Sequence, residues 1–199
     1  MSDRAVETSP RRKARIAGVL YLFAVLTAVL FEASVRGKWL FVVSLIPISC
    51  FVAVTLLLYG IFRPVNRSLS LLMVFFSFVG LSFEALELQP RGVNVALVFH
   101  AFYCLLIGYL SFRSNFLPRA LGGLMAFGGL AWLTSVSTPL ANRLSPYNLA
   151  AGFLGEGSLM LWLLVMGVNA QRWKEASEAG SLASGPTSAE SNELRGHRT

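Results

Sequence analysis

Five side chains of acid–base character stand inside otherwise apolar stretches of this 199-residue sequence: Glu32, Glu84, Glu87, His100 and Glu156. A charged residue inside a membrane-spanning helix costs on the order of 2.5–3.5 kcal/mol on insertion scales. It persists by pairing, by facing a wet cavity or by doing chemistry. Carboxylates near an imidazole can hold a cation or a proton, or act as general base and acid when within hydrogen-bond reach of a substrate. Glu84 and Glu87, in "GLSFEALELQP", are three apart and share a helical face. Glu156, in "GFLGEGSLMLW", is flanked by Gly155 and Gly157, small enough to let another backbone come close.

Each of these residues also has a plain structural reading. Glu32 and Arg36 are spaced for an ion pair at a helix end, and Glu87 and Arg91 are spaced likewise across Pro90. Glu84 divides evenly between a functional role and an interhelical hydrogen bond. His100, beside "FYC", reads first as a neutral imidazole bonded to a hydroxyl. Glu156 is the leading candidate for chemistry. One histidine with glutamates is a thin zinc set, which usually draws on more His or Cys. Cys50 and Cys104 lack C-x-x-C spacing, so neither a disulfide framework nor a structural metal site is expected. Haem would lack a second intramembrane histidine, and no catalytic triad, phosphate loop or dinucleotide fingerprint is present. No cofactor and no metal are therefore expected.

The elements that must position these residues follow from composition. The chain is 55% hydrophobic and 14% charged, against about 25% charged in soluble domains, and its mean hydropathy is +0.62. This is a lipid-facing composition. A helix needs about 20 apolar residues to cross the hydrocarbon core, and six segments qualify: 16–35, 39–62, 69–88, 93–112, 120–138 and 149–169. Their runs are continuously apolar instead of alternating, which disfavours a β-barrel. The links "RGK", "RPVNRS", "QPRG", "RSNFLPR" and "NRLSPYN" are short and make consecutive spans antiparallel neighbours. The fold expected is all-α, a polytopic membrane bundle of six transmembrane helices over residues 15–174. Residues 1–14 form a basic disordered start and 175–199 a disordered tail with little to bury. His197, in that tail, is not a site residue. The first segment is read as an uncleaved span, because Glu32 interrupts the region where small cleavage-site residues would sit.

Basic residues stay on the cytoplasmic side. Thirteen of the 17 Lys and Arg residues fall on the side shared by both termini, so both are expected in the cytoplasm. The net charge of +7 then meets lipid headgroups, and nucleic acid is not expected as a partner. Measured from the span midpoints, Glu32 lies about 10 Å and Glu84 about 9 Å toward the outer face. His100 and Glu156 lie within about 5 Å of their midpoints on that same side, and Glu87 lies near the interface. The fifth segment adds Thr134, Ser135, Ser137 and Thr138 at this level. An outward-facing polar pocket is the reading. Gly122 with Ala126 and Ala151 with Gly155 form small-xxx-small pairs suited to close helix packing.

The stretches "RIAGVLYLFAVLTAVLFEASVRGKWL", "RPVNRSLSLL", "FHAFYCLLIGYLSFRSNFLPRALGGLMAFGGLAWL" and "GEGSLMLWLLVMGVNAQRW" resemble a bacterial integral-membrane family of unknown function, domain of unknown function family 4386. The resemblance spans Arg15 to Trp173. It implies a multi-helix bundle in the bacterial plasma membrane, with no activity attached. The family's Gly-Glu of the last span maps onto Gly155 and Glu156, and its histidine maps onto His100. The short links "RGK" and "QPRG" depart from the longer segments of the family, so Glu84 and Glu87 are not carried over.

Three functions compete. The first is a small-solute or ion binding or transport protein using the outward pocket, with water access and a homo-oligomer in the bilayer. The second is a structural or regulatory membrane protein whose polar cluster locks the bundle. The third is an intramembrane hydrolase with Glu156 as base and His100 assisting. A non-enzymatic role is preferred.

Overall fold

Polar punctuation sets the helix ends. Asn66 accepts a hydrogen bond from the Leu69 backbone N–H at 3.0 Å, and Asn94 does the same for Leu97 at 3.1 Å, each satisfying a donor left open by the first turn. The computed structural model describes residues 9–34, 39–90 and 93–183. Its elements are α1 (Pro10–Ser34), α2 (Trp39–Phe62), α3 (Arg67–Ala85), α4 (Val95–Arg113), α5 (Arg119–Leu133), α6 (Thr138–Leu144), α7 (Tyr147–Val165) and α8 (Ala170–Ala183), with a 3₁₀ turn at Thr134–Val136 between α5 and α6. The expected all-α class holds, with no strand among the described residues.

Among the described residues, five helices are long and apolar enough to cross a membrane: Pro10–Leu30, Leu45–Phe62, Arg67–Ala85, Val95–Arg113 and Tyr147–Val165. The sixth expected span, 120–138, is shorter than the sequence suggested. α5 has 15 residues, about 22 Å of helix against a core of about 30 Å. Its hydroxyl-rich end is the reason. Thr134 Oγ1 turns back to the Ala131 carbonyl at 2.7 Å, the competition with helix geometry that Ser and Thr side chains offer. Pro139 then sits in the first turn of a new helix, α6, where its missing N–H costs nothing. The tail also differs from expectation. α8 carries regular structure through Ala183, held by the Trp173 indole N–H on the Ile61 carbonyl at 2.9 Å and by Arg172 on the Asn115 carbonyl at 3.1 Å. The remainder of the expected tail lies outside the described residues, as do residues 1–8 of the basic start.

The main helix contacts run in a cycle: α1 on α2, α2 on α3, α3 on α4, α4 on α5, α5 on α7, and α7 back on α1. Sequence neighbours pack side by side, as short links require, and α7 closes the ring against the first helix. Tyr21, Leu58, Met73, Tyr103, Cys104, Met125 and Leu159 are buried inside it. Val19, Phe23, Phe75, Phe112, Leu130 and Leu161 stand exposed on its outside. An apolar exterior around a partly polar interior is what a hydrocarbon solvent selects.

Missing side chains bring several of these helices together. A Cβ built on Gly18 would stand 2.6 Å from the Leu164 backbone, and one on Gly122 would stand 2.7 Å from the Gly108 carbonyl. A Cβ on Gly155 would stand 2.6 Å from the Leu124 carbonyl. Both small-xxx-small expectations therefore place a glycine at a close crossing. The expectation for Gly157 does not hold, since a Cβ there meets nothing within 4 Å. Overpacking a tight core costs about 1–3 kcal/mol. Gly155→Val should therefore lower the thermal midpoint in detergent well below wild type, while Gly157→Ala should leave it nearly unchanged. Equal midpoints for the two variants would contradict this packing.

Candidate functional site

The centre of the ring is built around one carboxylate. Glu156, on the buried face of α7, is 7% exposed. Three aromatic side chains from three other helices reach it. The Tyr21 hydroxyl, from α1, donates to Oε2 at 2.5 Å. The Trp132 indole N–H, near the end of α5, donates to Oε1 at 2.6 Å. His100 Nε2, from α4, lies 2.9 Å from that same Oε1. A carboxylate buried away from water needs such partners to offset its desolvation.

Local sequence explains why these groups converge. Gly18 stands three residues before Tyr21 and lets α1 close on α7, so the phenol reaches Glu156. Gly152 and Gly155 open the α7 face to α5. A Cβ on Gly152 would fall 2.3 Å from the Trp132 ring, so the indole occupies the space a side chain there would take. Phe51 of α2 completes the surround, edge-on to Tyr21 at 5.1 Å and to His100 at 5.9 Å between ring centroids.

Two further features adjoin the carboxylate. His100, Cys104 and Glu156 each offer one nitrogen, sulfur or oxygen ligand atom, and these atoms lie within 4.8 Å of one another. His100 and Cys104 are four apart on one face of α4, and Cys104 is fully buried. Beyond them, Thr55 of α2 hydrogen-bonds Ser77 of α3 at 2.7 Å and lies 3.5 Å from the Tyr103 hydroxyl. Every helix of the ring thus contributes at least one polar side chain to its interior.

A cavity of about 240 Å³ opens at the end of the bundle where α4 begins and α5 ends. Asn94, Ser135, Thr138, Asn142, Ser145 and Asn148 line it, and Trp132 forms part of its wall. Asn148 fixes the connector between α5 and α7, donating to Thr134 Oγ1 at 3.2 Å and to the Ala141 carbonyl at 3.4 Å. Trp132 is common to the cavity and to the carboxylate's donor set.

Of the five residues singled out in the sequence, the structure joins His100 and Glu156 directly. Glu84 and Glu87 are exposed at the α3 end and do not line the cavity, and Glu87 sits at a positive φ of 50° just past the helix. The Glu32 side chain lies outside the described residues, as do Arg36 and Arg91, with which Glu32 and Glu87 are spaced to pair. Sequence reasoning passed over Tyr21, Trp132 and Cys104. The i,i+4 spacing of His100 and Cys104 was the one local signal available for any of them.

Comparison with known proteins agrees with the resemblance noted above. Residues 81–167 match the family described as Domain of unknown function (DUF4386). That range holds His100, Cys104, Trp132 and Glu156, while Tyr21 lies before it. The chain is also 27% identical over 127 residues to an uncharacterized protein of Archaeoglobus fulgidus, covering 58% of this chain and 76% of that one. No solved structure matches.

The geometry fixes the sign of two substitutions. Trp132→Phe keeps much of the ring packing but leaves the buried carboxylate short of a donor, which costs about 1–3 kcal/mol. Gly152→Val should cause a similar loss by pushing the indole away. Unfolding free energy from denaturant titration in mild detergent reads both, and values within about 0.5 kcal/mol of wild type, the range of a neutral surface change, would contradict the arrangement.

Proposed function

Taking the match of residues 81–167 to a family of unknown function as the starting point, we propose that this chain is a multi-pass membrane protein that binds a small polar solute. The solute enters through the cavity at the α4–α5 end, with Trp132 standing between it and Glu156. The observation that carries this reading is the double role of Trp132. Trp132 lines the cavity and its N–H holds the buried carboxylate, so an occupant that moves this side chain also alters the Glu156 network. The polar part of the lining is of amide and hydroxyl groups, with no charged side chain among the described residues, which suits a neutral hydrogen-bonding solute better than an ion. Small-molecule sites combine such placed polar groups with apolar walls, here Leu97, Leu149 and the indole.

In this reading α5 and the connector after it complete a sixth crossing. The cavity faces outward, and both termini lie on the cytoplasmic side of the plasma membrane, the side that carries most of the basic residues. Binding is the step proposed here, and movement of the solute across the bilayer would need the ring to open on its other side.

A structural lock is the second reading, favoured by the complete donor set of Glu156. One experiment separates the two. Purified protein in detergent is screened by thermal midpoint against small polyols, primary amides and neutral amino acids, beside Ala141→Phe, which places a ring in the cavity. Solute binding predicts that at least one compound raises the wild-type midpoint and leaves the variant unmoved. If no compound raises the wild type, or if one raises both proteins equally, the binding reading fails and the lock stands.

A further inference from the structure

We propose that His100, Cys104 and Glu156 form an intramembrane site for a divalent transition-metal ion of borderline softness, with zinc as the reference ion. Among the described residues this is where three His, Cys, Asp or Glu side chains converge, and their ligand atoms lie within 4.8 Å of one another. Tetrahedral zinc, with bonds of about 2.0–2.1 Å to nitrogen and oxygen and about 2.3 Å to sulfur, holds its ligand atoms about 3.3–3.6 Å apart. Small rotations of the three side chains close that difference. His100 Nε2 and Glu156 Oε1 stand 2.9 Å apart and open slightly to admit an ion.

Charge balance argues for this ion class. A divalent cation bound by one thiolate, one carboxylate and a neutral imidazole is a centre of zero net charge, the form an apolar interior tolerates best. Binding forms the metal–sulfur bond as the Cys104 thiol releases its proton to water, with no change of oxidation state. Mixed nitrogen, sulfur and oxygen donors select zinc-like ions over magnesium or calcium, which prefer oxygen alone. The surroundings supply what ligands usually need behind them. The Tyr21 hydroxyl and the Trp132 N–H orient the Glu156 carboxylate from outside the ligand set. Cys104 and Tyr21 are fully buried, while the His100 side chain keeps 22% exposure and offers the approach. The site goes beyond the solute reading and does not rest on it, because none of its three ligands lines the cavity.

The test uses the full chain, purified without a polyhistidine tag and titrated with cobalt(II) alone as a spectroscopic substitute for zinc. One cobalt per chain is expected, with the intense visible bands of tetrahedral cobalt and a thiolate-to-cobalt charge-transfer band. Cys104→Ser should remove the charge-transfer band, and Cys104→Ser and His100→Ala should each weaken binding at least tenfold. Cys50→Ser and His197→Ala should leave the spectrum intact. Should Cys104→Ser not fold, X-ray absorption of the zinc-loaded wild type still decides, by showing one sulfur neighbour among nitrogen and oxygen ligands. Cobalt left in its weak, six-coordinate aqueous form, a charge-transfer band that survives Cys104→Ser, or zinc without a sulfur neighbour would each overturn the proposal. A solute panel that fails while cobalt binds would leave this site standing and remove only the solute reading.

Discussion

A carboxylate at the centre of an apolar helix ring dictates much of this structure. Glu156 cannot be hydrated there, so its oxygens must be satisfied by side chains, and the donors come from α1, α4 and α5. Four helices are thereby tied at one point. In lipid the hydrophobic effect does little to hold one helix against another, so close packing and interhelical hydrogen bonds carry more of the specificity. A donor set drawn from separate helices is satisfied in one arrangement of the bundle, which gives the ring a register as well as a centre.

The glycines and the carboxylate act together. Gly18, Gly152 and Gly155 sit on the faces where α1, α5 and α7 meet, and each occupies a point where a Cβ would collide with backbone or indole. Without these approaches Tyr21 and Trp132 would stop short of Glu156. Without the carboxylate the buried N–H and O–H groups would be left open at a cost comparable to the packing gained. The hydroxyl-rich segment after α5 plays the opposite part. It breaks the helix early, folds the chain into α6, and leaves a polar recess whose wall includes the same indole.

The parts of this arrangement legible in the sequence were those written in local pattern. Long apolar runs located five membrane-length helices, and short links made sequence neighbours into packing neighbours. The isolated carboxylate and histidine marked themselves by their cost, and the structure joins them at 2.9 Å. The partners of Glu156 were not legible for a physical reason. Tyr21 and Trp132 are aromatic residues among many in an apolar chain, and nothing local separates one that donates inward from one that faces lipid. That distinction depends on helix rotation and on which helix closes the ring, both set by tertiary contact. Glu84 drew attention through the same cost argument, yet it lies near the helix end, where exposure relieves that cost. The shortened α5 was hidden by hydropathy, which counts Thr and Val in "WLTSVSTP" without registering that Thr134 turns back onto its own helix.

Separate helices meet on the Glu156 carboxylate, and a double-mutant cycle probes that junction. Unfolding free energies in detergent are measured for wild type, Tyr21→Phe, Glu156→Met and the double variant. A direct hydrogen bond predicts a coupling energy within the roughly 0.5–3 kcal/mol seen for residues in contact, because removing the hydroxyl costs little once its acceptor is gone. Additive effects of the two substitutions would contradict the account, since α1 and α7 would then be joined by packing alone.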